Sequence, residues 1–274
     1  MTNFLKTLFI ATVISASFIS TAQAEILVAP TRVVLENGER STELVLVNKG
    51  TEEAAYRVSV ENRRMLIDGS METAEDAQPA ENFAKDFIRF TPRRVILEPG
   101  GKQTIRISVQ TSGLEPGEYR SHLRLQSAPL SAGKTLESVS QTTTDGISIQ
   151  LIAIRSITLP IIARVGKLDA SVKIDTASLD VDYAPEESLL VLRMQREGTQ
   201  STYGDIQIFT EAQEAPVYTA RGIAIYTPNA HRDVQLALPN DLRDAINNKT
   251  VRIKYVSSDP QNPETYADFQ TVLN

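Results

Sequence analysis

Two histidines, His122 and His231, and no cysteine occur in the 274 residues. A metal centre with His/Cys ligand spacing therefore cannot be assembled. The sequence holds neither a G-x-S-x-G elbow nor a Gly-rich phosphate loop. His122 falls inside the alternating run SHLRL, a position that suits a side chain packed in a sheet. Asp68, Glu72, Glu75 and Asp76 are acidic neighbours, but their spacing fits no calcium loop and reads as a solvated acidic segment. An enzyme, for example a glycan hydrolase built on paired carboxylates, is a further reading, and no motif points to it. What stands out is a row of hydrocarbon with a few guanidinium groups near it.

That row is DGISIQLIAIRSITLPIIARVG, residues 145–166. One alternation set contains Ile147, Ile149, Leu151, Ala153, Ile157 and Leu159, and the other adds Ile152 and Ile154. A strand covered on one side should alternate apolar with polar. Apolar side chains in both sets call for a second cover: helices, another sheet or another molecule. If the strand also lies at a sheet edge, its free N–H and C=O groups can pair with an incoming strand. The competing reading is a linker strand whose second face is covered by the neighbouring domain.

The elements that must position this row are short strands. ILVAPTRVVL (26–35), STELVLVNKG (41–50), AYRVSVENRRMLI (55–67), 86–97, Gln103–Gln110 and 113–126 alternate and are separated by Gly, Pro, Asn and Asp turns. With the 145–166 row they make seven strands, the pattern of a β-sandwich. The second half repeats the style from KLDASVKIDTASLDVDYA to TYADFQTVLN, with a helical turn predicted at 241–248. Segments 68–85 and 127–146 read as loops. The fold class that follows is all-β, two sandwiches in tandem, with domains over 25–163 and 167–274.

The N-terminal MTNFLKTLFIATVISASFISTAQA has one lysine, an apolar run and an A-x-A site, which predicts a secretory signal peptide over residues 1–24. Its removal takes the formal charge from −6 to −7. Mild acidity with no basic cluster argues against nucleic acid as a partner. No later run is suited to span a bilayer as a helix, so no membrane insertion of the mature chain is expected. Without cysteine, an exported protein must be held by its cores.

Three stretches together resemble the periplasmic pilus-assembly chaperones of the PapD-like type: ILVAPTRVVLENGERSTELVLVNKG, FTPRRVILEPGGKQTIRI and GEYRSHLRL. They match in order and spacing and cover most of residues 25–163. The resemblance implies two immunoglobulin-like domains set at an angle in a boomerang, a periplasmic location, no enzymatic activity and no cofactor or metal. It also implies partners: pilus or fimbria-like subunits that lack their final strand, and an outer-membrane usher that receives them. The 147–159 strand would fill the missing place, with Ile147, Ile149, Leu151, Ala153 and Ile157 as knobs. A one-residue slip would present Ile152 and Ile154 instead.

The resemblance further implies two basic residues that grip the subunit's terminal carboxylate. Arg32 in PTRVV matches the first. The second is usually a lysine in the segment equivalent to SITLPII, where a gapless match puts Thr158. Arg155 and Arg164 are the nearest basic residues, and Arg155 is taken as the candidate partner of Arg32. A basic residue usual ahead of the LEPG turn is also replaced, by Ile96. The alternative function is a two-domain structural or adhesive surface protein whose apolar strand is buried between its own domains.

Overall fold

A computed structural model describes residues 26–128, 138–142, 148–152, 154–259 and 263–273. The predicted signal peptide, Ile147 and Ala153 lie outside them. Strands dominate, and they form two sandwiches.

The chain of the first runs through β1 (Ile26–Ala29), β2 (Val33–Leu35), β3 (Ser41–Asn48), β4 (Ala54–Glu61), β5 (Arg63–Met65), β6 (Met71–Thr73), β7 (Ile88–Thr91), β8 (Arg94–Leu97), β9 (Lys102–Val109), β10 (Gly117–Ala128), β11 (Ser138–Thr142), β12 (Ser148–Ile152) and β13 (Ser156–Val165), of which β5 with β6 and β11 with β12 form separate two-stranded sheets. One sheet has the order β1-β3-β9-β7 and the other β2-β13-β10-β4-β8. This is the two-sheet order of an immunoglobulin-like domain, with the first strand divided between the sheets. Period-two alternation drives it: Leu44 and Leu46 of β3, Ile105 and Ile107 of β9, and Leu123 and Leu125 of β10 are all fully buried in one core. Gly100, in the turn between β8 and β9, has φ near +72°, a conformation that glycine adopts without a Cβ penalty.

The second sandwich comprises β14 (Ala170–Ala184), β15 (Glu187–Gly198), β16 (Thr202–Thr210), β17 (Tyr218–Ile225), β18 (His231–Pro239), β19 (Thr250–Ser257) and β20 (Thr265–Val272). Its sheets run β14-β15-β18 and β17-β16-β19-β20. The helical turn forms as α1 (Asn240–Ile246), with Leu242 and Ile246 in the second core.

Several expected single strands are divided. The run 26–35 breaks after Ala29, so that β1 pairs with β3 while β2 crosses to β13. The 145–166 row is divided too, into β12 and β13. The predicted loop 68–85 contributes β6, which closes a hairpin with β5. In the 26–35 run the break falls at Pro30, which has no N–H to give to a ladder.

Candidate functional site

The divided row supplies the first part of the site. β13 is paired to β10 along its whole length, from Gln126 opposite Ser156 to Gly117 opposite Val165. On its other edge, β2 pairs only with Ile161, Ile162 and Ala163. β12 sits in a two-stranded sheet with β11. Among the described residues, one edge of β12 and of Ser156–Pro160 is therefore unpaired.

The side chains of β13 answer the question of the second cover in two ways. Leu159, Ile161 and Ala163 point into the first core. Ile162 points to the other side and is fully buried with Met65, Ala224 and Tyr226 in a small cluster between the sandwiches. Burial of that one side chain is worth about 1.5–3 kcal/mol. Toward the N-terminus the cover runs out. Ile157, in step with the core row and opposite the buried Leu125, is 37% exposed, and Ile154 is 62% exposed. Ile149 and Leu151 alternate in step on the backbone of β12.

The second part is a cationic cleft between the sandwiches. The guanidinium of Arg32 lies 4.6 Å from the ring centre of Tyr203 and 5.4 Å from that of Tyr226, and donates to the Tyr226 hydroxyl at 3.1 Å. Arg120 lies on the same Tyr226 ring at 4.3 Å. It donates to the Arg63 carbonyl at 3.1 Å and to the Thr227 carbonyl at 3.4 Å, while its Nε has no hydrogen-bond partner. Arg63 Nη1 donates to the Thr158 hydroxyl at 3.1 Å. Its Nε is 3.1 Å from the Glu61 carboxylate, but the approach lacks hydrogen-bond geometry and leaves that N–H unsatisfied. The buried His122 packs edge-on to Tyr226 with Nδ1 unpartnered. Burial, followed by the charges of Arg120, Arg63 and Arg32, pushes its imidazole down to about 3, so it is neutral at physiological pH.

Two further contacts hold the cleft walls. Glu118 has a fully buried side chain that takes hydrogen bonds from Arg164 Nε (3.2 Å), the Ser201 backbone N–H (3.0 Å), the Ser201 hydroxyl and the Thr227 hydroxyl (3.2 Å). The β5–β6 hairpin reaches the second sandwich: the Asp233 N–H donates to the Ile67 carbonyl at 2.8 Å and Asn229 Nδ2 to the Met65 carbonyl at 3.0 Å.

Arg32 and Arg155, the two expected anchors, are not brought together. Arg32 precedes Val33, which faces the core beside Ile161, so its side chain leaves the outer face of the sheet. Arg155 lies about five strand residues away, roughly 16 Å. Its charge acts on Tyr56, a core residue at the far end of the sandwich, and its backbone pairs with Ser127. At that separation the two do not converge on one carboxylate. Arg164, the other candidate, is committed to Glu118 and to Glu36 at 2.8 Å. Next to Thr158 stand two cations from other strands: Arg63, whose Nη1 reaches its hydroxyl, and Arg124, directly opposite it on β10. Sequence reading passed over Arg63, Arg120, Tyr203 and Tyr226. The only available signal was the paired arginine in ENRRM, on the same alternation as Ser59 and Glu61.

No protein-family model and no curated protein matches the chain. Solved structures do. One is the CsuC–CsuE chaperone–tip adhesion subunit pre-assembly complex of archaic chaperone-usher Csu pili from Acinetobacter baumannii, at 14% identity and TM-score 0.47 over 92% of this chain and 100% of that one. Others are the CupB2 chaperone of Pseudomonas aeruginosa (13%, 0.45, 90% and 100%) and the Salmonella enterica SafB chaperone in complex with SafA pilin (13%, 0.44, 93% and 99%). All three are chaperones, two of them from pilus systems.

Proposed function

We propose that this protein is a periplasmic chaperone that stabilises pilus or fimbria-like subunits by lending them a β-strand, and that it then delivers them to an outer-membrane usher. Residues 1–24 direct export, 25–163 form the strand-lending domain and 167–274 the second wall of the cleft. The observation that carries the reading is the open edge along β12 and Ser156–Pro160, where the apolar row emerges from its own core at Ile157. An unfinished sandwich presents a bare groove and an unpaired edge, both prone to aggregation. A strand with one free edge and a sequence that carries Ile147, Ile149, Leu151, Ala153 and Ile157 in one alternation set matches both needs. Each buried knob adds about 1.5–3 kcal/mol before ordering costs.

The subunit's terminal carboxylate would be held by Arg32, beside Pro160 in the β2–β13 register, together with Arg63, which holds Thr158, with Tyr203 and Tyr226 orienting Arg32. Guanidinium groups suit this task because each can offer two parallel N–H donors. The reading of a self-contained surface protein draws support from Ile162, which the second sandwich does cover, but that cover stops short of Ile157.

The test is periplasmic co-expression with a secreted subunit encoded beside this gene. The wild-type protein is expected to co-purify with the subunit. Leu151→Arg is expected to keep the melting curve of the isolated chaperone and to lose the subunit. Undiminished recovery of the subunit with Leu151→Arg would reject strand donation.

A further inference from the structure

The charge balance of the cleft exceeds what one carboxylate can satisfy. Four guanidinium groups line it, from Arg32, Arg63, Arg120 and Arg124, and only two of them approach a carboxylate, that of Glu61, which lies 3.1 Å from Arg63 Nε and 3.4 Å from Arg124 Nη1. Arg32 and Arg120 form no ion pair with a carboxylate among the described residues. The other nearby acids are engaged elsewhere: Glu118 by Arg164 and Ser201, and Glu81 by Arg64 at 2.6 Å. Arg120 is only 4% exposed, so water does little to offset its charge. His122 adds no charge at neutral pH.

The positions are as telling as the count. In the β10–β13 register Arg124 stands directly opposite Thr158, the residue whose hydroxyl Arg63 holds. Arg124 also reaches the Ser156 hydroxyl at 3.4 Å. The β2–β13 register sets Arg32 beside Pro160, two positions from Thr158 on the same alternation, so the space between Arg32 and Arg63 offers one anion position and that between Arg63 and Arg124 a second, one step along the same sheet face.

Resting on the carboxylate anchor proposed above, we infer that the cleft selects a polypeptide terminus with two negative charges, the α-carboxylate and the side-chain carboxylate of an acidic last residue. The α-carboxylate takes the Arg32–Arg63 position. The side-chain carboxylate takes the Arg63–Arg124 position, where it displaces Glu61 as the shared acceptor. Charge-assisted hydrogen bonds in such a setting are strong enough to change affinity by about tenfold each.

The test uses the full mature chain and four fluorescein-labelled peptides with the common body Ser-Val-Thr-Val-Thr-Val. They end in Asp or Asn, each as the free acid and as the C-terminal amide, and binding is read by fluorescence anisotropy. The Asp free acid is expected to bind about tenfold more tightly than the Asn free acid. Arg124→Gln should erase that preference while leaving the gap between acid and amide. Equal affinity for the Asp and Asn free acids, both above their amides, would overturn the second anion position and leave the anchor standing. Free acids and amides that bind alike, or no binding by any of the four, would remove the anchor itself and this inference with it.

Discussion

Removal of the Glu118 carboxylate should separate the two sandwiches before either unfolds. The side chain is fully buried and accepts from Arg164, from the Ser201 backbone and hydroxyl, and from the Thr227 hydroxyl. Ser201 and Thr227 belong to the second sandwich, so most of these bonds cross the junction. In Glu118→Ala, Arg164 keeps only Glu36, which is largely exposed, and the Ser201 carbonyl at 3.1 Å. Breaking a buried ion pair by deleting one partner costs about 3–5 kcal/mol. The stranded Ser201 N–H alone accounts for about 1–3 kcal/mol of such a loss. A total near 4 kcal/mol is expected. Glu118→Gln, which keeps the shape and one acceptor oxygen, should lose about half as much. The measurement is urea unfolding of the full chain together with trypsin cleavage after Lys167, an exposed residue in the connection. The first transition should move to lower urea, and cleavage should quicken before either core opens. A loss below 1 kcal/mol with unchanged cleavage would refute the view that this carboxylate holds the junction.

Two other predictions concern the cleft. His122 titrates near 6.5 when unfolded and at about 3 when folded. The unfolded chain therefore binds the proton first, and stability is complete above pH 6.5 and lost as the pH falls toward 3. By pH 4 the loss from this residue is about 3 kcal/mol, and His122→Gln should reduce the pH 7 to pH 4 difference in urea midpoint. An identical difference in both proteins would remove His122 from the account. Gly69, at φ +88°, sits where an added Cβ would meet the Arg232 guanidinium. Gly69→Val should cost about 2 kcal/mol and speed amide exchange at Asp233, whose N–H is bonded to Ile67. Unchanged protection there would mean that the hairpin does not depend on that turn.

Sequence by itself determined the class of fold and the location of the unusual strand. Leu44, Leu46, Ile105, Ile107, Leu123 and Leu125 alternate with polar neighbours, and period two is a local property that any reader of the chain can count. The excess hydrocarbon at 147–162 was legible for the same reason. Tertiary structure alone decided how that strand is shared. Ile162 is sealed by Tyr226 and Met65, whereas Ile157 emerges into solvent, because the second sandwich reaches only part of the way along β13. It also decided which cations meet. Arg155, six residues from Ile161, is carried toward Tyr56, while Arg63, almost a hundred positions from Thr158 in sequence, donates to its hydroxyl. Alternation records which side of a sheet a residue takes, but the companions on that side come from strands paired across long separations and from a second domain, and no local period encodes either.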